Sequence, residues 1–160
     1  MNKLWAPWRI KYIKIKKQRK CIFCQGLRSK DKNFIILRTD YSMAMLNIFP
    51  YNNGHIMVSP LRHIKELSGL KEVEILDLFK TLNKVTRGLN LVLKPDGFNI
   101  GINISRSAGA GIPGHLHIHI VPRWQGDTNF MPVVSDTKIV SQSLDELYKQ
   151  LKKVIKAKSS

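Results

Sequence analysis

The chain has 160 residues, 43% of them hydrophobic, and carries 27 lysines and arginines against 11 acidic residues, a formal charge of +16. That length supports one compact domain with a real core, and no apolar run approaches the ~20 residues that span a bilayer, so no membrane-spanning helix is expected. Residues 1–20 contain no continuous apolar segment of signal-peptide type, which predicts a soluble cytoplasmic protein; the positive charge favours an anionic partner without saying which.

Residues 1–20 read as a basic arm in which Trp5, Trp8 and Tyr12 would anchor on the core. Cys21 and Cys24 are too sparse for a disulfide scaffold, and their spacing suits metal ligands or a redox pair. Short strands are predicted over Phe34–Leu37 and Met43–Ile48, separated by turn-forming Asp40. Asn52-Asn53-Gly54 then predicts a turn into a strand His55–Val58 that Pro60 ends. From Lys71 to Leu93, Val73, Leu76, Phe79, Leu82, Val85 and Leu89 recur at spacings of three or four, an amphipathic helix stopped before Pro95. Phe98–Ile104 reads as a strand leading to a permissive loop with Gly109, Gly111, Pro113 and Gly114, and a strand His115–Val121 follows, closed by Pro122. Within a C-terminal segment 141–160, Leu144, Leu147, Leu151, Val154 and Ile155 share one side of a helix with lysines opposite. Strands lie before and after one long helix rather than in strict alternation, so a single α+β domain over 1–160 with an antiparallel sheet is expected.

Three of the five histidines, His115, His117 and His119, alternate with apolar residues. On a strand they would share one face at intervals of about 6.6 Å, close enough to surround one phosphate. A neutral imidazole is a good nucleophile toward phosphorus, and its attack on a phosphate ester gives a covalent phosphoramidate. The middle histidine is best placed for this, with its neighbours orienting it or hydrogen-bonding the departing oxygen. Glycines such as Gly109 and Gly111 let backbone N–H groups approach phosphate oxygens, and Asn103 on the preceding strand would face the same pocket as His117. A metal cluster without catalysis, or a merely polar strand face, are the competing readings of the triad. The Cys21-x-x-Cys24 pair has the spacing of a zinc knuckle, which needs two further ligands; a reduced, metal-free pair and a redox pair are the other readings.

The run His115–Val121 resembles the signature of the histidine triad (HIT) family, His-φ-His-φ-His-φ-φ with φ apolar. The likeness extends through Leu4-Trp5-Ala6-Pro7-Trp8-Arg9, Cys21-Ile22-Phe23-Cys24, Asn47 with Pro50, Gly54-His55, Pro60 with Arg62-His63, Gly97-Phe98-Asn99, Pro122-Arg123-Trp124, Gly126-Asp127 and Asn129-Phe130. This set is similar to the family's bacterial branch of diadenosine tetraphosphate phosphorylases. The resemblance implies the HIT-like fold and cleavage of dinucleoside polyphosphates at the α-phosphate. His117 would attack to give a nucleotidyl-histidine, His119 would assist, and Asn47, His55 and Asn103 would line the ribose and phosphate pocket. Inorganic phosphate is the favoured acceptor and water the other.

The resemblance further implies a structural zinc held by Cys21, Cys24, His63 and His115, no organic cofactor, and a homodimer. A phosphoramidase releasing AMP from lysine or amines is one alternative, as in another branch of the family. A non-catalytic nucleotide- or nucleic-acid-binding protein is a second; nucleic acid is the less favoured partner because the basic ends lack a groove-reading motif. Relatives often carry Ser or Thr four residues before the first triad histidine, where this chain has Gly111 and only a backbone N–H to donate.

Overall fold

The structure, a computed structural model, describes residues 21–28, 33–127 and 142–157. The basic aromatic arm over 1–20, the Asn129-Phe130 pair and the last residues of the tail lie outside the described residues. Five strands, β1 (Ile35–Arg38), β2 (Ser42–Leu46), β3 (Ile56–Pro60), β4 (Gly97–Ile102) and β5 (Ile118–Arg123), form one antiparallel sheet in the order β1-β2-β3-β5-β4. The helices are α1 (Ile22–Arg28), α2 (Glu72–Leu93) and α3 (Leu144–Ala157), with a 3-10 turn at Leu67–Gly69. This is the α+β arrangement the sequence predicts, with the long helix and the C-terminal helix in their expected places.

Strand alternation divides the interior into two layers. Ala44, Leu46, Ile56, Val58, Ile118 and Ile120 face α2 and α3, packing on Leu78, Leu82, Val85, Leu89, Leu147, Leu151 and Ile155. Met43, Met45 and Met57 point the other way and pack with Phe23 of α1. Both faces of β2 and β3 are therefore covered, and every residue of the two strands is buried.

Polar contacts fix α2 on this sheet. Asp77 accepts hydrogen bonds from Thr39 Oγ1 at 2.6 Å and Ser42 Oγ at 2.5 Å, and Ser42 also meets Thr81 at 2.8 Å. At its start, buried Glu74 accepts the Lys71 backbone N–H at 2.8 Å and both arms of Arg62, at 2.9 and 2.7 Å. Among the described residues, no helix is long and apolar enough to cross a membrane.

Several boundaries differ from expectation. Pro60 does end β3, as expected, but Pro122 lies inside β5, paired with Phe98. β3 pairs only with Ile118–Ile120 of β5, so Pro122 occupies an edge-like position where its missing donor costs little. β5 begins at Ile118, which leaves His115 and His117 in the extended segment before it rather than on the strand. The reason is a change of partner: the Leu116 N–H donates to the Ile64 carbonyl at 2.6 Å, outside the sheet ladder. Asn103 falls just past β4, and Cys24 lies within α1, a helix the sequence reading leaves out.

Candidate active site and metal centre

The histidines gather on the sheet face opposite α2 and α3. His119 stands on β5, opposite Met57 of β3 and Gly101 of β4. His55 is delivered by the turn at Gly54, whose φ of +76° and whose distance of 2.5 Å from a built Cβ to Leu93 Cδ1 leave room only for glycine. His55, His115, His117 and His119 are all buried. The His55 and His119 ring centres lie 5.0 Å apart, and those of His117 and His119 lie 4.8 Å apart, edge to face.

Backbone contacts assign the tautomers. The Tyr51 N–H donates to His55 Nδ1 at 3.0 Å, so neutral His55 carries its proton on Nε2. That Nε2 lies 2.9 Å from His119 Nδ1 and donates to it, which leaves His119 with a proton on its own Nε2. The Asn103 amide lies 3.5 Å from that nitrogen. The Asn47 amide donates to His55 Nδ1 at 3.3 Å, and the Asn47 carbonyl oxygen accepts the Phe49 N–H at 2.9 Å. In His117 the pattern is reversed: Nδ1–H donates to the His115 carbonyl at 2.8 Å, and Nε2 keeps its lone pair. One imidazole thus offers a lone pair and its neighbour a proton. Burial holds His117 below the usual imidazole range, and burial with the adjacent His117 pushes His119 down to about 4, so both are neutral near pH 7.

His115 turns away from this pair. Its Nδ1 lies 3.2 Å from Cys21 Sγ and 3.7 Å from Cys24 Sγ, while Cys24 Sγ is 3.3 Å from His63 Nδ1. All four ligand atoms fall within 4.8 Å of one another. Tetrahedral zinc with Zn–S near 2.3 Å and Zn–N near 2.05 Å requires S···N separations of about 3.6 Å, so the donor set fits such an ion. His115 Nε2–H donates to the Pro60 carbonyl at 2.9 Å, turning the Nδ1 lone pair toward the thiols. These residues could hold a metal; the ion would tie α1 and the segment after β3 to the segment leading into β5.

Phe23, between the two cysteines, is fully buried, and its ring centre lies 4.9 Å from that of His115 and 5.1 Å from that of His117. It joins the four-residue cluster that could hold a metal to the His117 ring. Sequence reasoning missed Phe23, although its place inside the knuckle was a signal, and missed Tyr51, which acts through a backbone N–H and stacks on His55 at 4.5 Å. Asn103, expected to face the same pocket as His117, has its amide 3.5 Å from His119 Nε2, and the His119 ring centre lies 4.8 Å from that of His117. Of the loop glycines, Gly109 donates its N–H to the Arg106 carbonyl at 2.9 Å within its own turn, and Gly111 is exposed. The Arg123-to-Asp127 motif is structural, with Asp127 accepting two bonds from Arg123 and one from Asn52, which clamps the turn before His55.

The HIT domain family model matches residues 28–126. This chain belongs to the histidine triad family. It is 34% identical over 154 residues to the AP-4-A phosphorylase of Mycobacterium tuberculosis, covering 90% of this chain and 79% of that protein. Another member, the asymmetrical bis(5'-nucleosyl)-tetraphosphatase of Schizosaccharomyces pombe, is 37% identical over 93 residues, 58% of this chain and 50% of that protein. Among solved structures, a hypothetical histidine triad nucleotide-binding protein from Sulfolobus tokodaii superposes with a TM-score of 0.71 at 27% identity, over 86% of this chain and 93% of that one. The family's fold is thus shared well beyond the triad itself.

Proposed function

We propose that this histidine triad protein is an enzyme that processes dinucleoside polyphosphates by transferring a nucleotidyl group through His117 to inorganic phosphate, with the whole chain acting as one domain. The observation that carries the reading is the opposed pair of tautomers, a lone pair on His117 Nε2 beside a proton on His119 Nε2. Its relatives that act on such substrates by name, the phosphorylase and the tetraphosphatase, support the substrate class.

In the first step His117 Nε2 attacks the α-phosphorus. An N–P bond forms, and the bond to the bridging oxygen breaks with its electron pair leaving on the polyphosphate. His119 Nε2–H hydrogen-bonds that oxygen as charge accumulates, and Asn47, His55 and Asn103 hold ribose and phosphate around it. Two neutral histidines suit this division, since a protonated His117 has no lone pair to offer. In the second step an oxygen of inorganic phosphate attacks the same phosphorus, the N–P bond breaks, and a nucleoside diphosphate departs. Zinc on Cys21, Cys24, His63 and His115 would be structural, and the reduced thiols it needs fit a cytoplasmic location.

The assay is diadenosine tetraphosphate with and without phosphate. ADP plus ATP formed only with phosphate supports the reading, AMP plus ATP reassigns the acceptor to water, and no turnover in either condition overturns it. A homodimer is part of the same proposal: Leu76 and Phe79 of α2 and Ile100 of β4 are large exposed apolar side chains, suited to a second copy. Phe79→Glu should then halve the mass measured by light scattering.

A further inference from the structure

The helices behind the sheet carry a charge distribution that the histidine face does not use. Beyond Asp77, α2 has Lys80, Lys84 and Arg87 and no carboxylate; beyond Glu146, α3 has Lys149, Lys152, Lys153 and Lys156 and none. Within each helix these cations recur at three- and four-residue spacings and so share a stripe. Lys80, Arg87, Lys149, Lys153 and Lys156 are exposed, while Lys84 and Lys152 are half-buried, the Lys152 ammonium lying 5.6 Å from the Tyr148 ring centre.

The two stripes belong to one surface. A Cβ built on Gly88 would lie 3.1 Å from Ile155 and 3.9 Å from Leu151, so α2 and α3 touch along their C-terminal halves, where the cations are. Helices packed this way have axes about 8–10 Å apart. Exposed Lys80 and Arg87 on α2 and exposed Lys149, Lys153 and Lys156 on α3 are like charges in two adjacent rows that repel one another, a cost that an anionic partner relieves.

We propose that this α2–α3 face binds the phosphate backbone of double-stranded nucleic acid without regard to sequence. Two rows of cations match a ligand that offers two rows of phosphates. Unpaired strands would call for stacking rings, but the exposed ring of these helices is Phe79, which lies on another side of α2. A lipid surface would call for apolar side chains to insert; α3 exposes no large apolar residue among those described, and α2 exposes Val73, Ile75, Leu76 and Phe79 before its first cation and only Leu91 from Lys80 onward. The face lies on the opposite side of the sheet from the histidines, so a bound duplex leaves them open.

The test is fluorescence anisotropy of the full chain with a labelled mixed-sequence DNA duplex of about 24 base pairs, titrated between about 50 and 200 mM salt. Neutralisation of about five phosphates gives a slope near −4.5 in log affinity against log salt. The triple variant Arg87→Glu/Lys149→Glu/Lys153→Glu should bind at least about tenfold more weakly at low salt and flatten the slope by about 2.7, with melting temperature and turnover unchanged. If that variant folds poorly, the corresponding glutamine variant should shift both quantities in the same direction by less. Wild-type binding by either folded variant overturns the proposal. So does tighter binding to single strands or to anionic vesicles than to the duplex.

Discussion

His117 and His119 sit two residues apart, yet their different partners give them different chemistry. The His115 carbonyl fixes the proton of one on Nδ1, and the Tyr51–His55 relay fixes the proton of the other on Nε2. His117→Ala should therefore lose the covalent nucleotidyl-enzyme detected by mass spectrometry, and turnover should fall by at least ~10³-fold while nucleotide binding persists; near-normal turnover would reassign the nucleophile. The low value for His119, about 4 against an ordinary 6.5, also bears on stability. Between those two values the unfolded chain binds more protons than the folded one, so stability is fully present above pH 6.5 and is lost as pH falls toward 4. His119→Asn should flatten that dependence in melting curves taken from pH 7 to 4. An unchanged slope would mean that His119 is not held neutral by the fold.

The start of α2 depends on one buried carboxylate. Glu74 satisfies the Lys71 N–H at the helix entrance and takes both arms of Arg62, and the Arg62 hydrogen bond is the main cause holding it at about 2. Glu74→Gln should lower the melting temperature by roughly 3–6 °C near pH 7, the scale of one lost charge-assisted bond in a chain of this size. The sign follows from the lowered value: the contribution is present above the unfolded carboxylate's 4.5 and disappears as pH falls through 2, so variant and wild type should converge across that window. A constant difference down to pH 2 would assign the loss to packing. α1 was illegible in the sequence because seven residues carry too little periodicity to announce a helix. Its position depends on Phe23 and the cysteines meeting residues more than 35 positions away.

Across the molecule, the four-ligand cluster connects α1, the segment after β3 and the approach to β5. A chelator that strips a bound ion should lower the melting temperature by roughly 8–16 °C, taking about 4 kcal/mol for a site filled a thousandfold above its Kd; one zinc per chain by elemental analysis and its loss in Cys24→Ser complete the test. Protein purified without metal and indifferent to chelator would count against the site. Helix α2, the antiparallel sheet and the triad were all legible along the chain, because apolar spacing and residue alternation are local properties that the backbone's own periods impose. The tautomers, the pairing of Asn103 with His119, the engagement of Gly109 in its own turn and the merging of two lysine stripes into one face were not. Each depends on which groups distant in sequence come within a few ångströms, and only the packed fold decides that.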